Sequence, residues 1–245
     1  MNDIAVVVPV YKKDTTKYDE ISLLRLRKTL NNRQVFFITH KKLNLRKYER
    51  LFPEVQRKNF DASFFDSIQG YNRLMLSRRF YSNFAGFKYI LIYQLDAYLF
   101  KDNLDRWIDK NFDYIGAPWI NWEYQSKFKN NAPAIRKMWW KLFGAPKYFV
   151  GNGGFSLRKV KTFVRVLDLF QKKSTDWGMF EDTFWPLYIK TYYPIFQIPD
   201  YKTALEFSFE TSPQTCYELN GKKLPTGCHG WYKIDEKFWR RFIDI

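Results

Sequence analysis

Cysteine and histidine are nearly absent from this chain. Two of each occur in 245 residues: Cys216 and Cys228, His40 and His229. Two cysteines in a chain of this length are too few for a disulfide framework, so reduced thiols are expected. Two histidines exclude a multi-histidine zinc site. No apolar run reaches the roughly 18 residues that a membrane-spanning helix needs. No basic stretch followed by a short apolar one opens the sequence as a secretory signal would. A cytoplasmic location is expected, with any membrane contact peripheral and at the inner face. Internal repeats and low-complexity linkers are also missing, so one domain spanning 1–245 is expected.

Aromatic side chains and positive charge are what the chain has in excess. Aromatics make up 20% of the residues and hydrophobic residues 46%, enough for a substantial core. Aromatic faces also suit flat apolar partners such as sugar rings, or a membrane interface. The formal net charge is +16, and residues 1–60 carry 14 Lys/Arg against 6 Asp/Glu. Such a surface draws polyanions, whether nucleic acid, anionic lipid or phosphorylated substrates.

The apolar runs IAVVVPV (4–10), QVFFITH (34–40) and YILIYQL (89–95) read as buried parallel strands. A helical stretch, 19–31, lies between the first two. This β-α-β opening predicts an α/β fold with a mainly parallel central sheet flanked by helices. Ligands in such sheets sit beyond the carboxyl ends of the strands. That places Tyr11 and Lys12, Thr39 and His40, and Asp96 at the ligand edge. A helix over 67–84 is expected, capped by Asp66 or Ser67. FDYIGAPW (112–119) reads as a short strand and a turn. VGNGGFSLRKV (150–160) reads as a turn feeding a helix over 159–171, and the tail from 191 as irregular.

Four segments offer chemistry. Asp96 is a carboxylate at a strand end, placed either to hold Mg²⁺ or Mn²⁺ against a diphosphate or simply to cap a loop. Gln94 stands where a second acid would strengthen the metal reading. The glycines of GNGG (151–154) allow positive φ and close backbone approach to a ligand, though glycine turns are common. Glu181 and Asp182 lie among Trp177, Phe180, Phe184 and Trp185. They suit either a general base of raised pKa or a helix N-terminus. His229, with a glycine on each side, suits a metal or phosphate contact, with Lys233 neutralising diphosphate charge, or a satisfied structural role.

The run IAVVVPVYK resembles the first strand of GT-A glycosyltransferases. YNRLMLSRRFY, YILIYQLDAYLF, FDYIGAPW, GNGGFSLR, EDTFW, FSFE and GCHGW, in that order, resemble a family of bacterial and phage glycosyltransferase-like proteins. The resemblance implies a GT-A, Rossmann-like fold. It also implies a nucleoside-diphosphate sugar donor, UDP-sugar being the expected one, and a divalent cation, Mn²⁺ or Mg²⁺. Asp96 matches the last acid of the Asp-x-Asp metal motif and His229 the late metal ligand, while Gln94 replaces the first acid. Asp182 matches the catalytic base of inverting enzymes, with Glu181 beside it. Val8, Pro9, Tyr11, Thr39, Asn72, Gln94, Asp96 and Lys233 are then expected on the donor side. Trp119, Asn152, Gly153, Gly154, Trp185, Glu210 and Trp231 are expected to shape the sugar and acceptor site. The expected acceptor is a glycan or lipid-linked sugar of surface polysaccharide synthesis.

Two rival readings remain: a nucleic-acid-binding protein using its basic aromatic surface, and a non-catalytic sugar-binding protein on a transferase scaffold. No nucleic-acid recognition motif appears, which disfavours the first. Residues 121–149 read as an insertion. Residues 121–147 hold six Lys/Arg and one acid, Glu123. Within them AIRKMWWKLF places Ile135, Met138, Trp139, Leu142 and Phe143 on one helical stripe. That is the pattern of an anchor on an anionic membrane surface, or of a core helix with a solvated basic face.

Overall fold

The computed structural model describes residues 3–245, apart from the side chains of residues 122, 124, 125 and 128. Eleven strands follow in chain order: β1 (Ile4–Pro9), β2 (Gln34–His40), β3 (Gln56–Phe60), β4 (Tyr89–Tyr93), β5 (Tyr98–Leu99), β6 (Tyr114–Ile115), β7 (Pro118–Trp119), β8 (Phe149–Val150), β9 (Phe155–Lys159), β10 (Ser208–Phe209) and β11 (Gly227–Cys228). Six of them form the central sheet in the order β3-β2-β1-β4-β9-β6. β1, β2, β3 and β4 run parallel, and β9 runs antiparallel between β4 and β6.

The apolar runs bury both faces of this sheet, as parallel strands covered by helices require. Ile4, Val6 and Val8 of β1, Val35 and Phe37 of β2, and Tyr89, Leu91 and Tyr93 of β4 point into one layer. Helix Lys17–Thr29 and helix Leu104–Asp109 close that layer with Leu23, Leu26, Leu104 and Trp107. The alternate residues Ala5, Val7, Phe36, Ile38, Ile90 and Ile92 point into the other, beneath helices Ile68–Met75, Arg78–Ser82 and Val160–Leu169. A third cluster surrounds the small sheet β10-β11-β5 and includes Trp231, Phe238 and Trp239. Both cysteines are buried and free, and burial pushes the Cys216 thiol up to about 12.

Local signals set several boundaries. Thr16 caps the first helix through a reciprocal capping box with Asp19. Ser67 caps the 68–75 helix by accepting the Gly70 N–H at 3.0 Å.

Four expectations are corrected. The predicted 67–84 helix is two short helices. Residues 155–159 are a strand rather than part of the turn before the 159–171 helix, because this segment fills the slot between β4 and β6. The tail holds helices Tyr201–Phe207, Pro213–Leu219 and Trp231–Trp239, built on contacts with the small sheet. β3 was not expected at all: QRKNF has no apolar pattern because it is an edge strand.

One polar pair lies inside the second apolar layer. Arg158 of β9 is 0% exposed and Glu181 is 3% exposed. The Arg158 guanidinium donates to both Glu181 oxygens, at 2.8 and 3.1 Å. It also donates to the Tyr81 hydroxyl at 2.8 Å and the Ser156 hydroxyl at 3.0 Å. Trp185 Nε1 donates to Glu181 at 3.0 Å. Removing one member of such a pair strands the other charge in an apolar layer. Arg158→Met is therefore expected to cost about 3–5 kcal/mol of unfolding free energy in urea titration. A loss below about 1 kcal/mol would mean that Glu181 finds other partners.

Candidate active site

A cleft of about 1230 Å³ opens at the carboxyl edge of the sheet, and strand register assembles its floor. β4 ends at Tyr93, opposite Phe155 of β9, so the chain leaving β4 meets the chain entering β9. The Gln94 N–H donates to the Gly154 carbonyl at 2.9 Å. β11 pairs Cys228 with Tyr98, which sets His229 beside Asp96, two residues before β5. β10 pairs Phe209 with Cys228, which sets Glu210 beside His229.

The imidazole of His229 is the hub. Its Nε2 lies 3.1 Å from Asp96 Oδ1 and 3.0 Å from Gln94 Oε1. Its Nδ1 lies 2.9 Å from Glu210 Oε1, and Asn152 Nδ2 stands 3.2 Å from the same nitrogen. Burial lowers the His229 pKa, but Asp96 and Glu210 outweigh it and raise the group to about 10. Lys233 Nζ donates to the second Asp96 oxygen at 2.8 Å. Burial raises the Asp96 carboxyl, and the charges of His229 and Lys233 reverse that and hold it well below the usual carboxylate range.

Asp96 Oδ1 and Gln94 Oε1 both approach His229 Nε2, and these three atoms could serve a divalent cation once the ring gives up its Nε2 proton. Two oxygens and one nitrogen suit Mn²⁺ or Mg²⁺. Glu210 on Nδ1 fits this reading, since metal-ligating histidines present their other ring N–H to a carboxylate or carbonyl. Among the described residues no group of three or more His, Cys, Asp or Glu could hold a metal ion, and a set here would need the amide oxygen of Gln94 beside Asp96 and His229.

Asp182 also lines the cleft, half-buried, and makes no ion pair among the described residues. Burial, then the charges of Glu181 and Glu210, push its carboxyl up to about 8 against the opposing pull of Arg158 and the Gly153 amide. Its neighbour Glu181 is committed to Arg158 and Trp185. That corrects the expectation of two candidate bases: Glu181 is a structural anchor that turns Asp182 toward the cleft.

Of the expected site residues, Pro9, Tyr11, Asn72, Gln94, Asp96, Trp119, Gly153, Gly154, Glu181, Asp182, Glu210, His229 and Lys233 line this one cleft. Asn72 acts on the backbone, accepting the Glu181 N–H at 3.1 Å. Asn152 is buried beneath the floor and holds the turn by accepting the Gly154 and Phe155 N–H groups at 2.7 and 3.1 Å. Four expectations fail. Val8 packs into the apolar layer. Thr39 is buried because it is still inside the ladder, opposite Asn59 of β3. Trp185 packs against Phe163 at 4.1 Å between ring centres. Trp231 is fully buried and donates to the Ser22 hydroxyl at 3.0 Å. The sequence reading missed the Phe64–Gln69 wall of the cleft and, beneath the floor, Arg158. An arginine in a strand carries no signal that it faces inward.

The glycine-rich turn works by close approach. The positive φ falls on Asn152, at 74°, and the glycines provide room. A Cβ on Gly153 would stand 2.2 Å from Glu181 Oε1, and one on Gly154 2.1 Å from His229 Nε2. The turn leads into β9, so its amides do not open a helix as the sequence suggested.

Residues 54–229 match the family model described as "Protein of unknown function (DUF5672)", and the chain belongs to that family. No curated protein matches the sequence. Solved structures with a similar fold are glycosyltransferases. Mouse xyloside xylosyltransferase 1 in its apo form is similar at a TM-score of 0.56 and 10% identity, over 93% of this chain and 97% of that one. The galactosyltransferase LgtC, solved with donor and acceptor sugar analogues, is similar at a TM-score of 0.52 and 10% identity, over 92% and 86%. The bifunctional glycosyltransferase WbbM is similar at a TM-score of 0.54 and 14% identity, over 93% and 45%. The fold is thus the GT-A-like α/β fold that the motif order implied.

Gly154→Ala is expected to push the imidazole off Asp96 and Gln94. Losing those partners should lower the His229 pKa toward its ordinary value, readable by NMR titration of the ring proton. An unchanged titration would mean that the turn yields instead of the ring.

Proposed function

We propose that this protein transfers a sugar from a nucleoside-diphosphate sugar to an acceptor hydroxyl, with inversion at the anomeric carbon. The observation that carries the reading is one cleft holding two separate devices. One is the Asp96–His229–Gln94 convergence with Lys233 beside it. The other is Asp182, a carboxylate of raised pKa without an ion-pair partner among the described residues.

The roles follow from charge. Asp96, His229 and Gln94 would hold a divalent cation, which would supply Lewis-acid stabilisation of the charge on the diphosphate leaving group. The exposed ammonium of Lys233 adds positive charge on the same side. Asp182 accepts the proton of the acceptor hydroxyl as its oxygen attacks the anomeric carbon and the bond to the diphosphate oxygen breaks. Trp177, half-buried on the cleft wall, offers a ring face to the sugars, whereas Trp119 is buried against Gly151 and does not. The charge of Glu181 raises the basicity of Asp182. The similarity to LgtC, solved with donor and acceptor sugar analogues, supports the same kind of ligands here. The acids Asp96, Asp182 and Glu210 on the cleft surface disfavour a polyanion such as nucleic acid in this cleft, despite the net charge of +16.

Asp182→Asn is expected to lower transfer by ~10²–10⁴-fold while leaving donor affinity within a few fold. The sign of the pH dependence is fixed: the basic form of Asp182 predominates above its pKa of about 8. The rate should therefore rise with pH through that region, and the limb should vanish in the variant. Full activity in Asp182→Asn would move the base elsewhere, to Glu210 first. Asp96→Ala is expected to weaken nucleoside diphosphate binding in Mn²⁺ by roughly tenfold or more, since one carboxylate ligand is lost. Calorimetry should then show no difference between Mn²⁺ and EDTA. Equal affinity in variant and parent would remove Asp96 from the metal site.

A further inference from the structure

The helix Ala134–Phe143 has no buried residue, although six of its 10 side chains are large and apolar. Its inner side is made by Trp140, whose ring lies 5.3 Å from Phe149, and by half-buried Arg136, which donates to the Lys190 carbonyl at 3.4 Å. Those two contacts fix the helix rotation. They leave Ile135, Met138, Trp139, Leu142 and Phe143 on the outside, with Leu142 69% and Phe143 74% exposed. Trp139 and Phe143 stack on each other at 5.1 Å. The stripe that a core helix would turn inward is the one turned outward.

The charges around this ridge are of one sign. Lys137 and Lys141 are exposed on the helix, Lys127, Lys129 and Lys147 on its flanks, against the single acid Glu123. An apolar ridge bordered by ammonium groups complements a layer with apolar depth and anionic headgroups. Lys127 and Asn131, just before the helix, line the catalytic cleft.

We infer that the helix Ala134–Phe143 docks this protein on an anionic bilayer surface, its apolar ridge entering the headgroup boundary and its lysines meeting the headgroups. The docking stands apart from the transferase reading. Where both hold, the cleft mouth lies at the lipid surface and the acceptor is one presented there. Vesicle sedimentation of the full chain tests the inference, using phosphatidylcholine alone and phosphatidylcholine mixed with phosphatidylglycerol. Binding to the mixed vesicles only is expected, falling as salt is raised. Leu142→Glu combined with Phe143→Glu should reduce that binding by roughly tenfold or more at an unchanged melting temperature. Lys137→Glu combined with Lys141→Glu, which leaves the ridge intact, should remove the anionic preference. Equal binding to both vesicles, or full binding by either variant, would overturn the inference. So would a parent that sediments as a dimer while the Leu142/Phe143 variant is a monomer, because the ridge would then cover a second copy. Turnover plays no part in this readout, so a failure of docking is distinct from a failure of the proposed reaction.

Discussion

The ion pair between Arg158 and Glu181 holds the site together. It joins the antiparallel strand β9 to the turn that opens at Glu181. Both groups lie in an apolar layer, so neither has water to fall back on, and the geometry of one dictates that of the other. The Arg158 guanidinium also stands over the Tyr114 and Phe163 rings, at 5.6 and 5.8 Å from their centres. Its neighbour Asp182 lines the cleft. The same guanidinium reaches the Gly153 carbonyl at 3.3 Å, which ties the glycine turn to the same anchor.

The remainder of the site depends on strand register. Asp96, Glu210 and His229 come from three short strands, each of two residues, or from the chain next to them. Such strands contribute little by themselves. They are held by Trp231, Trp239 and Phe209 packed beneath them. Much of the aromatic excess serves this purpose. Trp107, Trp185, Trp231 and Trp239 are among the largest fully buried side chains. The cluster of carboxylates around one imidazole is in turn balanced by Lys233 and by His229 itself, which keeps the floor of the cleft from repelling its own parts.

Charge and apolar surface are distributed unevenly. The cleft floor gathers acids while the chain as a whole carries +16. The helix Ala134–Phe143 carries exposed apolar rings, and its inner contacts are few. A helix with so little cover gains less from packing than the core helices do.

Much of this arrangement is legible in the sequence. Continuous β-branched and aromatic runs determine that β1, β2 and β4 are buried parallel strands, because only a sheet covered on both faces buries every residue of a run. The carboxyl-edge rule then places Tyr11 and Asp96 at the ligand side. The Glu-Asp pair and His229 are visible as chemistry awaiting a location. Tertiary structure decided the rest. Nothing local distinguishes Glu181 from Asp182, and only the inward-facing Arg158 makes one an anchor and leaves the other free. Trp185 and Trp231 look like sugar platforms until packing buries them. The stripe on 134–143 has the same period whether it faces in or out. Periodicity defines a helical face, but only the contacts of Trp140 and Arg136 determine which way that face is turned.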